Sequence, residues 1–162
     1  MELLIIILLL YFFVKLYSRD KASKEKRRSP PFKKGYGLDH KQTIDDFEEK
    51  MANAMLKKRK EVFVTAFCNN DHVLTVTATI GSRGSCRPSD NVYNWGEKAK
   101  RLGTAEIRQY HNHPPVFKRS FISKRDKESN VFFREILKRY DVKFRSFLVF
   151  PNRLGGYKIK EY

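Results

Sequence analysis

The sequence is poor in cysteine and lacks the patterns that several large enzyme classes require. Its two cysteines, Cys68 and Cys86, do not form a Cys-x-x-Cys pair. They indicate neither a disulfide framework nor a cysteine-based zinc site, so we expect two reduced thiols. The chain also contains no Gly-rich phosphate loop, no Walker pattern and no Ser-His-Asp order. Kinase, NTPase and serine hydrolase functions are therefore without support.

Negative charge is also scarce. The 162 residues include 34 Lys and Arg against 18 Asp and Glu, which gives a net charge of +16. The basic excess is spread along the chain, because residues 1–60 carry a net charge of +7 and residues 61–162 carry +9. This balance favours anionic partners such as phospholipid head groups, nucleic acid or an acidic protein, and it does not choose among them.

A single long apolar run, from Leu3 to Val14, stands at the N-terminus. A helix over residues 1–17 would span about 25 Å, and Lys15 and Tyr17 can reach the interface of a bilayer core of about 30 Å. No positive charge precedes the run and no small-x-small cleavage site follows it, which argues against a secretory signal peptide. The basic residues that follow favour the cytoplasmic side. We expect a single-pass membrane anchor at residues 1–17 with the rest of the chain in the cytoplasm.

Residues 18–41 combine Lys, Arg, Ser, Pro and Gly, and they predict a flexible basic linker that lies against anionic lipid. Residues 42–162 predict one domain. An amphipathic helix starts at Ile44 behind a Thr43 cap, and Glu61 opens a hairpin whose second strand is Val73–Ile80.

The remaining elements alternate between helix and strand. Ser89 or Asp90 is expected to cap a helix that ends near Leu102 before Gly103. A short strand over Ala105–Tyr110 follows, then a helix from Ser123, then strands over Val142–Phe150 and Tyr157–Ile159. The last helix is expected to bury one apolar stripe, consisting of Phe132, Phe133, Ile136, Leu137 and Tyr140. This order predicts an α/β (α+β) domain with a mixed or mostly antiparallel sheet flanked by helices.

Two short segments carry the chemistry. His111–Pro114 (HNHP) leaves the end of a predicted strand, and Ser123–Asp126 (SKRD) opens the next helix. Histidines at i and i+2 of an extended segment point the same way, so both imidazoles can reach one ion. An aspartate in the first turn of the helix can supply a third ligand. Three protein ligands with an open position are typical of a catalytic zinc site, where bound water becomes a nucleophile near neutral pH.

Such a reaction also needs a carboxylate that moves a proton from water to the leaving group. Glu61, at the start of the first strand, is the candidate for this general acid/base. Ser123 is the candidate for stabilising the oxyanion of a tetrahedral intermediate.

At these residues the chain resembles the JAB/MPN (JAMM) metalloprotease family, and most closely its RadC-like branch. The shared pattern is an upstream Glu, then His-x-His-Pro, then Ser-x-x-Asp, and it covers residues 60–162. The resemblance implies a cytidine-deaminase-like fold and zinc bound by His111, His113 and Asp126. It also implies cleavage of peptide or isopeptide bonds, commonly behind a ubiquitin-like modifier. One departure is the nine-residue spacing from Pro114 to Ile122, which is longer than the usual spacing of the family and affects the substrate contacts near the metal.

Simpler interpretations exist for each piece. Ser123 and Asp126 have the spacing of a helix capping box, and a His-x-His segment often consists of two surface imidazoles. The combination of all three elements in the family's order favours the metal site. The alternative function is a non-catalytic RadC-like module that binds DNA or an acidic protein through its basic surface, with nucleic acid as the second-choice partner.

Overall fold

In the computed structural model the described residues are 42–81, 91–113, 120–152 and 154–162. The predicted anchor (1–17), the predicted linker (18–41) and Cys86 lie outside them. No helix among the described residues is both long and apolar enough to cross a bilayer. Cys68 is a free thiol in the core, and burial raises its pKa to about 12.

The described residues form three helices and five strands. In chain order they are α1 (Ile44–Leu56), β1 (Val62–Asn69), β2 (His72–Ile80), α2 (Val92–Leu102), β3 (Glu106–Asn112), α3 (Lys124–Lys138), β4 (Lys143–Pro151) and β5 (Tyr157–Glu161). The strands form one sheet in the order β2-β1-β3-β4-β5. Only β3 and β4 pair in parallel, and the other three pairs are antiparallel. The predicted α+β domain with a mixed sheet flanked by helices is therefore confirmed.

Each face of the sheet has its own apolar core. On one face, α1 packs against β1, β3 and β4 through a stripe that includes Phe47, Met51 and Met55. On the other face, α2 and α3 pack together around Trp95, with Ile107 and Phe144 from the sheet beneath them. Strand β3 is the central strand of the sheet. It pairs with β1 and β4 at its two edges and is packed against helices on both faces, and these contacts hold its C-terminal end in position.

Local signals set the ends of the helices. Thr43 caps α1 by accepting a hydrogen bond from the backbone N–H of Asp46, as predicted. Gly103 ends α2 in the left-handed conformation (φ 65°), which glycine adopts without the steric cost of a Cβ atom.

Three local predictions were wrong. The cap of α2 is Asn91 rather than Ser89 or Asp90, because the Asn91 side chain accepts from the N–H of Tyr93. Strand β3 extends to Asn112 instead of ending at Tyr110, because β1 and β4 pair with it on both sides. Phe132 does not belong to the buried stripe of α3; it is 53% exposed, because at about 100° per residue it lies about 140° around the helix from the fully buried Leu137, outside Ile136 at the edge of the stripe.

Candidate metal centre

The first histidine of the HNHP segment, His111, lies near the C-terminal end of β3, and the second, His113, is the first residue after the strand. His111 pairs with Phe63 of β1 on one side and with Leu148 of β4 on the other. The imidazole of His111 is fully buried and stacks on the ring of Phe63, with 5.7 Å between ring centroids. His113 is half-buried, and its ring centroid lies 5.1 Å from that of His111. The i, i+2 alternation of an extended chain therefore brings both rings to one side of the sheet, as predicted.

Asp126 faces these histidines from the first turn of α3. Its Oδ1 lies 3.8 Å from Nε2 of His111, and its Oδ2 lies 3.8 Å from Nε2 of His113. One ligand atom from each of the three residues lies within 4.8 Å of the others, so the group can hold a metal ion. Tetrahedral ligands at zinc distances of about 2.1 Å are about 3.4 Å apart, so the ligand atoms would move together by up to about 1.4 Å around an ion.

The surroundings of His111 also fit a metal. Its Nε2 is buried and has no hydrogen-bond partner among the described residues, although such a group costs free energy when nothing satisfies it. Burial lowers the pKa of His111 to about 4, with Asp126 acting in the opposite direction and His113 in the same one. The ring is therefore neutral at pH 7, which is the form that binds metal ions.

Glu61 lies at the same end of the sheet. Phe63 opposes His111, and the N–H of Val62 donates to Oδ1 of Asn112 at 2.7 Å. Continuing the register two residues beyond the Phe63–His111 pair places Glu61 opposite His113, on the face that carries His111 and Phe63. Burial, reinforced by the charge of Asp126, raises the pKa of Glu61 to about 7, against the opposing effect of Arg125.

Ser123 forms the capping box that its spacing also predicted. Its hydroxyl donates to Oδ2 of Asp126 at 2.6 Å and accepts from the N–H of Asp126 at 3.1 Å, and its own N–H donates to the same Oδ2 at 2.9 Å. Both hydrogen bonds to the carboxylate use Oδ2, so Oδ1 remains available toward His111. The assignment of Ser123 as oxyanion stabiliser stays a prediction.

Two residues of the site carried no signal in the sequence. Asn112, between the two histidines, faces α1 and donates from Nδ2 to the carbonyl of Met55 at 3.3 Å. The hydroxyl of Tyr162 lies 3.3 Å from Nδ1 of His111. Both contacts join residues more than 50 positions apart, so no local pattern could reveal them.

Comparison of the chain with known proteins does not assign it to a family. A scan against protein-family models found no match, and a search of curated proteins found none either. We therefore infer function from the residues of the site.

Proposed function

We propose that this chain is a membrane-anchored zinc metallopeptidase of the JAMM type, which hydrolyses a peptide or isopeptide bond behind a ubiquitin-like modifier. The supporting observation is the convergence of His111, His113 and Asp126 around the buried Nε2 of His111, which has no hydrogen-bond partner in the described part of the chain. The mixed sheet with the histidines at the end of a central strand, and the aspartate on the next helix, suits the JAB/MPN-like fold of the resemblance.

The metal would be held by three protein ligands, which leaves a coordination position open to water and substrate. When bound, zinc supplies Lewis-acid chemistry and lowers the pKa of a coordinated water to about 7. The two imidazoles bind in their neutral form, and Asp126 contributes the only negative charge of the ligand set. The capping box orients Asp126, because Ser123 holds one of its two carboxylate oxygens.

Glu61 is proposed as the group that moves the proton. Its raised pKa of about 7 lies near the operating pH, where a carboxyl group can both accept and return a proton. A cation bound beside Glu61 favours its ionised form, so the residue begins the reaction as a base. It accepts a proton from the attacking water and delivers it to the departing amine, which leaves as a neutral group.

The N-terminal apolar run and the basic linker would hold this domain beside the cytoplasmic leaflet. Such tethering raises the effective concentration of the domain near membrane-associated substrates. Residues 1–41 have the composition for this role, with an uninterrupted apolar run followed by many Lys and Arg.

The second candidate is a binding module for DNA or an acidic protein. The positive net charge of the chain favours it. A surface cavity of about 580 Å³ favours it too, since its lining includes four basic residues and two acidic ones: Arg134, Lys138, Lys143 and Arg145, with Asp141 and Glu161. This function requires nucleic-acid affinity that falls steeply with salt. No binding to duplex or single-stranded DNA at low salt would reject the DNA form of the alternative.

The first experiment is elemental analysis of the purified full chain in detergent. We expect about one zinc per chain, lost in His113→Ala and retained in His72→Ala, a control at the exposed start of β2. A native protein without zinc after reconstitution would reject the metallopeptidase and favour the binding module. Equal zinc in His113→Ala and the native protein would reject the ligand assignment.

A further inference from the structure

Tyr162 meets the candidate metal centre from the side opposite Asp126. Its hydroxyl lies 3.3 Å from Nδ1 of His111, while Nε2 of the same ring faces Oδ1 of Asp126 at 3.8 Å. The Tyr162 ring stands edge-on to the imidazole, with 5.8 Å between centroids and an interplanar angle of 85°. The two nitrogens of His111 therefore face two different groups, and only the Nδ1 side has a hydrogen-bond partner among the described residues.

The backbone of Tyr162 is itself held at two points. Its N–H donates to the carbonyl of Ser146 in β4 at 3.1 Å, which continues the β4–β5 pairing by one residue. Its carbonyl accepts a hydrogen bond from the side-chain amide of Asn130. The tyrosine is thus fixed to the sheet by one contact and to α3 by the other.

Asn130 links this tyrosine to α3, the helix that carries Asp126. It is buried on α3 four residues after Asp126, and residues at this spacing lie on one face of a helix. Hydrogen bonds therefore connect His111 to Tyr162 and Tyr162 to Asn130, which lies on the helix face that also carries Asp126.

The layer around Tyr162 is polar although it is buried. Thr65, Gln109 and Ser146 lie side by side on three adjacent strands, and Tyr162 continues the row beside Ser146. Each of the three is at most 3% exposed. Buried polar side chains cost free energy relative to apolar ones of the same shape, so apolar packing alone does not account for this row.

We propose that Tyr162 is a positioning residue for the metal ligand His111, and that Asn130 holds Tyr162 in place for this role. Coordination through Nε2 requires the proton of the neutral ring to be on Nδ1, where it can be donated to the Tyr162 oxygen. A partner on the second nitrogen of a ligating histidine fixes its tautomer and orientation and raises its basicity. This inference rests on the proposed metal site and goes beyond the family's motif, which does not contain either residue.

The test compares Tyr162→Phe with Tyr157→Phe in the purified full chain. The first removes only the hydroxyl beside His111, and the second removes one from the start of β5, where the ring packs against the α1 core. Zinc affinity is measured by competition with a chromogenic chelator, and the visible spectrum of the cobalt-substituted protein reports ligand geometry. We expect Tyr162→Phe to bind zinc about 10- to 100-fold more weakly and to change the cobalt spectrum, with Tyr157→Phe like the native protein.

Two further measurements separate positioning from general stability. The melting temperature of the metal-free protein should be similar in the two Tyr→Phe variants. Asn130→Ala should weaken zinc binding in the same direction, and the double variant with Tyr162→Phe should lose less than the product of the two single effects, because both act through one path.

The outcomes are distinct. Native protein with one zinc and an unchanged affinity in Tyr162→Phe would overturn this inference and leave the metal site standing. A weaker affinity that merely follows a lower metal-free melting temperature would also overturn it. A native protein that binds no zinc would overturn both this inference and the proposed function.

Discussion

Asp126 has a role in the helix cap and a proposed role as a metal ligand, and a pair of substitutions can separate the two. Its Oδ2 accepts two hydrogen bonds from Ser123 in the capping box, and its Oδ1 faces Nε2 of His111. Asp126→Asn keeps a carbonyl oxygen that can accept from the N–H of Ser123, and it removes the negative charge that a cation requires. Ser123→Ala has the opposite character, because it removes the cap hydroxyl and leaves the carboxylate.

The two variants should differ in how much zinc affinity and how much metal-free stability each one loses. Zinc binding at sites with four protein ligands is worth about 10–16 kcal/mol, or about 2.5–4 kcal/mol per ligand, so Asp126→Asn should weaken zinc binding by roughly 100- to 1000-fold. Its metal-free stability should fall by less than about 1 kcal/mol, since the cap persists. Loss of an N-cap hydroxyl costs about 1 kcal/mol, so Ser123→Ala should lower the metal-free melting temperature by roughly 4 °C. Its zinc affinity should fall much less than that of Asp126→Asn.

The assay combines chelator competition for zinc with thermal unfolding of the metal-free protein, on both variants and the native chain. The prediction is a crossed pattern, in which Asp126→Asn ranks lowest in metal affinity and Ser123→Ala ranks lowest in metal-free stability. Native-like zinc affinity in Asp126→Asn would refute its assignment as a ligand. If both variants lost stability and affinity in the same proportion, the carboxylate would be a cap alone.

Three further predictions follow from particular residues. Glu61→Gln should retain zinc and lower the rate of peptide cleavage by about 10²- to 10⁴-fold, because an amide cannot carry the proton; full turnover in this variant would remove Glu61 from the mechanism. Burial lowers the pKa of His111 to about 4, so between this value and about 6.5 the unfolded chain binds more protons. The metal-free protein should therefore lose up to about 3 kcal/mol of its free energy of unfolding as the pH falls from 6.5 toward 4. Denaturant titrations that give a constant free energy of unfolding over this range would contradict a buried neutral ring. Gly96→Ala should destabilise the fold by about 1–3 kcal/mol, because the added Cβ would overlap the ring of Tyr140, and this outweighs the better helix propensity of alanine. An unchanged midpoint of urea unfolding would show that the ring moves aside freely.

The parts of the fold that the sequence predicted depend on neighbours within a few residues. The caps at Thr43 and Ser123 and the αL glycine at Gly103 each satisfy helix ends through local contacts. The His-x-His spacing likewise fixes the direction of both rings once the segment is extended. The meeting of His111, His113 and Asp126 was predicted on this basis, together with the family resemblance, and the structure brings these three residues together.

The remaining features depend on pairings that a linear pattern does not contain. The strand order β2-β1-β3-β4-β5 follows from which strands can bury both faces. The contact of Tyr162 with His111 depends on that order, and the contact of Asn112 with Met55 depends on the packing of α1 against the sheet. The cap of α2 was misplaced for a different reason, since Ser89, Asp90 and Asn91 are adjacent and all are capable N-caps.

The position of β3 has a consequence for how quickly a metal can exchange. The amides of β3 are bonded to β1 and β4 on its two sides, so they should rank among the slowest in the domain to exchange hydrogen with solvent. The first turn of a helix opens far more readily, and Asp126 lies in such a turn. His111 would then stay in place while Asp126 departs and returns, so opening of that turn would set the residence time of the ion. Weakening the cap should shorten this residence time even where affinity hardly changes, because the same opening speeds both entry and exit.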